Sequence, residues 1–459
     1  MTLPALDEAT LADLVKVASA PDHERWLRQI RATGGCSAPI RLRGWSKILD
    51  RTTRQVLHTY ATDTEPGGVL RLACGNRRAS RCPSCAATYA ADTYHLVRAG
   101  LVGDDTKGVR AEVREHPRVF ATFTAPSFGP VHNRPDTGRC RCGRRHAEDA
   151  PELGTPLDPE RYDYVGAVLW NNHAGDLWNR FTIQLARTLA ERTGIPRSRL
   201  REVLRLSYAK VAEFQRRGAV HFHAVIRLDG PEGAEDDPPG WATVELLDDA
   251  IRTAAARARL GVPASLAGHP AMAVRWGRQL DVRPVRAFGD GSELTEQAVA
   301  SYVAKYATKA AESTGTVDRP IGNREALDLL KVPAHARRLI ETCLDLDAYY
   351  PGRRLAAWAH MLGFRGHFAS KSRRYSVTLT SIREERAAYR AAEQRAALGL
   401  PDPEEDDTTL TLAHWIYAGQ GLTPGESMFA ATIANDLRES RRLARENDAG
   451  SIGTEGVAA

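Results

Sequence analysis

The chain has no long apolar run. No stretch of its 459 residues approaches the eighteen or so apolar positions that a membrane-crossing helix needs. Its start, Met1-Thr2-Leu3-Pro4-Ala5-Leu6-Asp7-Glu8, has neither a basic segment nor an apolar core, so no secretion signal is evident and a cytoplasmic chain without a membrane partner is expected. No G-x-x-x-x-G-K-[ST] occurs, which argues against a built-in helicase ATPase. The cysteines are few and odd in number, at 7, which argues against a disulfide framework; their spacing points to metal instead. Lysine is almost as scarce, supplying 8 of the 63 basic residues and leaving the rest to arginine. Arginine grips phosphates with two donors and stacks on bases, which suits nucleic acid, although a GC-rich genome would give the same bias. The net charge of +6 says little by itself. With 26% charged and 42% hydrophobic residues the chain is an ordinary folded protein, long enough for roughly two to four domains.

The densest chemistry lies in one short stretch. Tyr208 to Phe214 is rich in β-branched and aromatic residues, Gln215-Arg216-Arg217-Gly218 makes a short turn ending in glycine, and Ala219 to Leu228 returns. That pattern predicts a β-hairpin. Side chains alternate along a strand, so His221 and His223 share one face and Phe222 takes the other. Two imidazoles at adjacent same-face positions form a metal clamp. Glu213 falls roughly opposite them, with the register open by one residue. His, His and a carboxylate form a mixed nitrogen and oxygen donor set that leaves coordination positions for a substrate oxygen. The plain alternative is a half-buried strand carrying two incidental histidines.

A second stretch, Glu296 to Lys309, is alanine-rich and preceded by the helix-start residues Ser292 and Thr295, so a helix is expected from about 293 to 312. Tyr302 and Tyr306 are four apart and share one face; Lys305 and Lys309 repeat that spacing on the adjoining face. Two phenols flanked by two ammonium groups are an unusual way to build a core, though on this stretch alone rings that pack and hydroxyls that face water explain it more simply.

The cysteines fall into two groups. Cys82-Pro83-Ser84-Cys85 is a knuckle whose thiolates reach one Zn²⁺; Cys74 is a natural third ligand and Cys36 the best available fourth. A redox role would be expected in a thioredoxin-like unit, which nothing nearby suggests. Cys140, Cys142 and His146, with His132 as fourth, offer a second small zinc site in a polar insert; the alternative is an exposed loop with two unpaired thiols. Farther on, Lys371, Arg373, Arg374 and Tyr375 interleave cations with an aromatic ring, a pattern for phosphate contact with stacking or simply a basic surface loop.

Taken together these stretches resemble the HUH endonucleases, the tyrosine nucleases that start rolling-circle replication. Three parts occur in the family's order: a hydrophobic strand at Val119 to Ser127, His221-Phe222-His223 on the next, and a helix reading Tyr302-x-x-Lys305-Tyr306-x-x-Lys309. A fuller resemblance, spanning most of the chain, is to RepSA-type initiators of actinobacterial integrative and conjugative elements. It rests on Cys74 to Cys85, on Ala212 to Gly218, and on Gly363 to Ser376. The order of expected strands and helices fits a compact α+β domain around an antiparallel sheet, beside a zinc-binding N-terminal region and a mostly helical C-terminal region. The resemblance implies that this HUH domain has a central sheet with the histidine strand in its middle and the tyrosine helix lying across it. It also implies nicking of one strand at an origin with Mg²⁺ or Mn²⁺, Tyr306 being the tyrosine kept in single-tyrosine relatives. Origin DNA, single- and double-stranded, and a host helicase and polymerase are the implied partners.

The expected boundaries are 1–112 for the zinc region, 113–313 for the nuclease domain with its insert at 130–164, 314–400 for a helical DNA-binding region, and 401–459 for an acidic linker, helices at 408–418 and 424–445, and a disordered tail. Transposases of this type are usually much shorter, and relaxases usually carry three clustered histidines near an N-terminal tyrosine, so neither fits; a relaxase-like transfer nickase remains the enzymatic alternative. From other classes come a zinc-stabilised DNA-binding regulator with an inactive nuclease fold, and a metallohydrolase using activated water.

Overall fold

A computed structural model of the chain describes residues 7–264, 269–285, 295–309, 311–400 and 408–454, with the side chains of 312, 313 and 444–454 left aside. In chain order the elements are α1 (Glu8–Ala18), α2 (His23–Ala32), β1 (Ile40–Asp50), β2 (Val56–Ala61), β3 (Leu70–Leu72), α3 (Pro83–Val102), β4 (Arg118–Phe123), α4 (Tyr164–Thr193), α5 (Arg197–Leu200), β5 (Arg205–Phe214), β6 (Val220–Asp229), α6 (Val244–Arg257), β7 (Arg259–Val262), β8 (Met272–Arg275) and β9 (Leu280–Pro284). There follow α7 (Glu296–Ala307), α8 (Arg324–Asp328), α9 (Ala334–Asp347), β10 (Ala369–Lys371), α10 (Leu379–Ala397), β11 (Thr409–Gln420) and α11 (Pro424–Thr454). The chain divides into two units, residues 1–89 with 380–459, and residues 90–379.

In the first unit β1 is the central strand. β11 pairs along its whole length, from Ile40 opposite Gln420 to Asp50 opposite Thr409, and β2 and β3 take the other edge. The helix expected at 408–418 is therefore wrong: that segment is a strand. A short apolar run does not tell strand from helix, and Thr409, Thr411, Ile416 and Tyr417 suit a pleated surface once β1 offers a partner. The C-terminal part is accordingly less helical than expected. The helix expected at 424–445 is α11, which runs on to Thr454; the expected acidic linker at 401–407 and the end of the tail, 455–459, lie outside the described residues, as does Ser292. Trp26 and Ile30 of α2 pack on Ala430 and Ile433 of α11, and the Trp26 indole donates to Glu426 at 2.9 Å.

The second unit is built on a five-stranded antiparallel sheet in the order β10-β5-β6-β4-β9, so the histidine strand β6 is in the middle. Its faces differ in character. Phe222, Ala224, Ile226 and Leu228 point into the main core, where α4 lays Trp178 against Phe222 and Phe123 at ring distances of 5.9 and 5.5 Å. The apolar stripe of α4 is thus core, and His173 within it is buried with Nδ1 2.7 Å from the Leu169 carbonyl. The other face carries His221 and His223.

Two features fix the hairpin. Gly218 ends the turn at φ +74°, a left-handed conformation, and a Cβ there would come within 2.6 Å of Leu339. Asn171, wholly buried on α4, donates its amide to the carbonyls of Gly218 and Leu362 at 2.8 and 2.9 Å and accepts from the Val220 amide at 3.0 Å. Removing it leaves three buried backbone groups without partners. Asn171→Ala is expected to destabilise the protein by about 2–4 kcal/mol, read as a lower urea midpoint at unchanged slope; a midpoint equal to that of the parent would mean the hairpin does not need this clasp.

Candidate metal and tyrosine site

The β5–β6 ladder sets the register that the sequence left open: Glu213 is the direct partner of His221, and Val211 that of His223. Glu213 Oε2 lies 3.1 Å from His221 Nε2 and 3.0 Å from His223 Nε2, and the two Nε2 atoms are 3.2 Å apart. Two imidazole nitrogens and one carboxylate oxygen so close together are a donor set that fits a divalent cation.

β4 supplies the surroundings. Thr122 pairs with His223 across the ladder, and its Oγ1 is 3.0 Å from His223 Nδ1. A ring whose Nε2 is left unprotonated for a metal carries its proton on Nδ1, where Thr122 accepts it. Phe120, two residues earlier on the same face, stacks on His223 at 5.8 Å and meets the Tyr302 ring edge-on at 5.7 Å. Arg118, two residues earlier again, forms a buried ion pair with Glu296 in the first turn of α7. Sequence reading missed all three. The signal was present in the alternation of β4, but which strand β4 pairs with was not.

The start of α7 is capped by Thr295, whose side chain accepts from the Ala298 amide, and the helix sets both tyrosines over the cluster. The Tyr302 hydroxyl donates to Glu213 Oε2 at 3.1 Å and lies 2.9 Å from His223 Nε2. The Tyr306 ring is 4.5 Å from that of Tyr302 and 6.1 Å from that of His223. Lys309 Nζ stands 4.4 Å from the centre of the Tyr306 ring and Lys305 Nζ 5.7 Å from it. The structure thus brings Glu213, His221, His223, Tyr302, Tyr306 and both lysines together.

Electrostatics follow burial. Burial, with the Glu213 charge behind it, pushes both phenols above their ordinary range, Tyr302 the further. Burial also disfavours the charged form of His223. For Glu213 burial acts upward too, but the hydrogen bonds and charges of His221 and His223 outweigh it and hold the carboxyl down at about 2, from an ordinary 4.5.

Both cysteine groups also converge. In the first, Cys74 and Cys85 Sγ are 3.6 Å apart, and Cys36 Sγ is 3.7 Å from both Cys82 and Cys85 Sγ. Four sulfurs each about 2.3 Å from one ion stand about 3.8 Å from one another, so the spacing fits tetrahedral zinc and is far too long for a disulfide. In the second, His146 Nε2 is 3.3 Å from both His132 Nδ1 and Cys142 Sγ, and Cys140 Sγ is 4.0 Å from His132 Nδ1.

The basic segment behaves differently. Tyr375 is wholly buried; its hydroxyl donates to the Val97 carbonyl at 3.1 Å and Arg227 lies 5.1 Å from its ring, so it is a core residue that cannot stack on a base. Lys371 is half-buried and donates to the carbonyls of its own loop, including Ser376 at 2.8 Å. Arg374 is paired with Glu232, and among the described residues the exposed Arg373 has no such pair.

The family described as RepSA, replication initiator protein, pSAM2, matches residues 22–435. A replication initiator protein of Streptomyces ambofaciens is 66% identical over 455 residues, covering 99% of this chain and 99% of that one. No solved structure matches.

Two outcomes test the site. Metal analysis is expected to find that Cys82→Ser and Cys142→Ser each remove about one equivalent of zinc, since three remaining donors hold a structural ion poorly; unchanged content in both would leave the clusters as plain thiols. With metal removed, ionised Glu213 favours the folded chain above about pH 4.5, and that contribution is lost as the pH falls toward 2. Glu213→Gln should therefore flatten this part of the acid-unfolding curve followed by circular dichroism.

Proposed function

We propose, for a chain that belongs to the RepSA family of replication initiators, that it starts replication by cutting one strand of origin DNA with a tyrosine. The observation that carries this reading is the meeting of two phenols from α7 with the Glu213, His221 and His223 cluster of the sheet. The resemblance to HUH nucleases and the placing of the histidine strand in mid-sheet support it.

A phosphodiester repels anionic nucleophiles. A divalent cation, Mg²⁺ or Mn²⁺, held by Glu213, His221 and His223 would neutralise charge on the non-bridging oxygens of the scissile phosphate. Tyr306 attacks phosphorus through its phenolic oxygen; a phosphorus–oxygen bond to tyrosine forms as the bond to the 3′ oxygen breaks. The proton lost from the phenol is balanced by the one the departing oxygen gains. The products are a 5′-phosphotyrosine and a free 3′-hydroxyl, the end that a host polymerase extends while a host helicase opens the duplex. The energy of the bond stays in the linkage, so resealing by a 3′-hydroxyl needs no ATP. Tyr302, one turn away, serves the second cut, and Lys305 and Lys309 offset phosphate charge. We assign zinc to the Cys36, Cys74, Cys82 and Cys85 cluster and to the His132, Cys140, Cys142 and His146 cluster.

The experiment mixes the protein with an origin-derived single-stranded oligonucleotide, labelled at either end, and Mn²⁺ or Mg²⁺, on a denaturing protein gel. A metal-dependent band carrying the 3′ part is expected, lost with EDTA and in the Tyr302→Phe/Tyr306→Phe variant. Tyr306→Phe alone should abolish the first adduct, and Tyr302→Phe alone should retain it. Nicking by the double variant would sink the tyrosine chemistry, and binding without an adduct would favour the zinc-stabilised regulator.

A further inference from the structure

A large groove of about 1410 Å³ opens in the second unit at the end of the sheet marked by the hairpin turn. Its lining begins at Gln215 and Thr124, two residues beyond Glu213 and Thr122, or about 7 Å along each strand from the metal cluster. The insert carrying His132 and Arg141 lines it, as do α6 and the β8–β9 connection. The wall from the insert is the loop that the second cysteine–histidine cluster ties together, which gives that cluster a purpose the cutting chemistry does not.

The charge of the lining is one-sided. Arg134, Arg141, Arg216, Arg252, Arg275 and Arg278 all line the groove and all are exposed. No acidic side chain lines it among the described residues. Arg134 and Arg252 hold Glu148 and Asp248 at its margins, and Arg216 donates to the Glu148 carbonyl at 2.7 Å. Arg217 is different: it is half-buried and braces the wall, donating to the carbonyls of Pro126 and Ala125 at 2.8 and 3.0 Å. Like charges gathered around one concavity repel one another, a cost that an anionic ligand offsets. The volume exceeds the roughly 300–1,000 Å³ of small-molecule pockets. The aromatic residue of the lining, Trp276, is 7% exposed and offers no face for a base to stack on.

We infer that this groove carries the single DNA strand flanking the cut, holding it by its phosphates and not by its bases. The inference rests on the replication-nickase reading for its ligand, but it makes a separate claim about where the strand runs. Phosphate contacts from guanidinium groups, without stacking platforms, give sequence-tolerant, salt-sensitive binding. Such binding would position the strand and leave choice of the origin to another part of the chain.

The test follows full-length protein binding to an oligothymidylate of about twenty nucleotides by fluorescence anisotropy, across about 50–200 mM salt. In Arg141→Ala/Arg275→Ala/Arg278→Ala the slope of log affinity against log salt is expected to flatten by about 2, from three lost contacts at about 0.7 each, with affinity at least about tenfold weaker. These residues are exposed, and a matching Arg→Lys triple variant, which keeps charge, should retain most of the slope. An unchanged slope and affinity in the alanine variant overturns the inference, as does an equal loss for a duplex of the same length. Tyr302→Phe/Tyr306→Phe should bind the oligothymidylate like the parent. A missing DNA adduct therefore counts against the tyrosine chemistry alone, and a missing salt effect against the groove alone.

Discussion

Glu213 and His221 face each other as one pair of the β5–β6 ladder, and the geometry of the whole site descends from that pairing. A strand has a side-chain period of two, so slipping the pairing by one residue would set Glu213 opposite Phe222 and send the carboxylate to the core face. There it would meet Trp178 and the apolar packing of α4, where an unpaired charge costs several kcal/mol. Burial on one face therefore enforces the geometry of the Glu213, His221 and His223 cluster on the other. The turn reinforces it, because Gly218 accepts a left-handed backbone and Asn171 joins the turn, the next strand and Leu362 through one amide.

The same period of two organises β4. Arg118, Phe120 and Thr122 stand in a row on the site face, and each aligns a different piece: the start of the tyrosine helix, the stack of His223 against Tyr302, and the proton of His223. The Arg118–Glu296 pair is weak evidence for stability, since desolvating two charges offsets most of their attraction. Its value is in position. A capped helix end at Thr295 and an ion pair one residue later fix both the start and the rotation of α7, and with them which way Tyr302 and Tyr306 face.

Much of this was legible from the residues. The hairpin, the His pair, the tyrosine spacing and the cysteine runs Cys74 to Cys85 and Cys140 to His146 are local patterns, and local patterns survive without knowledge of the fold. The register between Glu213 and His221 was not legible, because a turn of this length permits neighbouring pairings until the core chooses one. Thr122 and Arg118 were missed because their partners lie on β6 and α7, far along the chain. Residues 408–418 were misread as a helix because the pairing of this segment with β1 spans more than 350 residues, and Tyr375 was misread as exposed because its neighbours are cations in sequence but Val97 and Arg227 in space. The errors share a cause: each residue's role is set by a distant partner.

The resting electrostatics bear on the proposed chemistry. Burial and the charge of Glu213 keep both phenols protonated, while the carboxylate itself stays ionised beside two histidines. A phenolate held there permanently would repel both Glu213 and an incoming phosphate. A phenol that remains neutral until a scissile phosphate and its counter-charges are in place avoids that repulsion and reacts only when the strand is aligned. Lys305 and Lys309 stand near the outer ring, that of Tyr306, and in the proposed cut they would answer the charge of the phosphate. In the proposed cut, nucleophile activation would then follow substrate binding, so that the covalent step would wait for an origin.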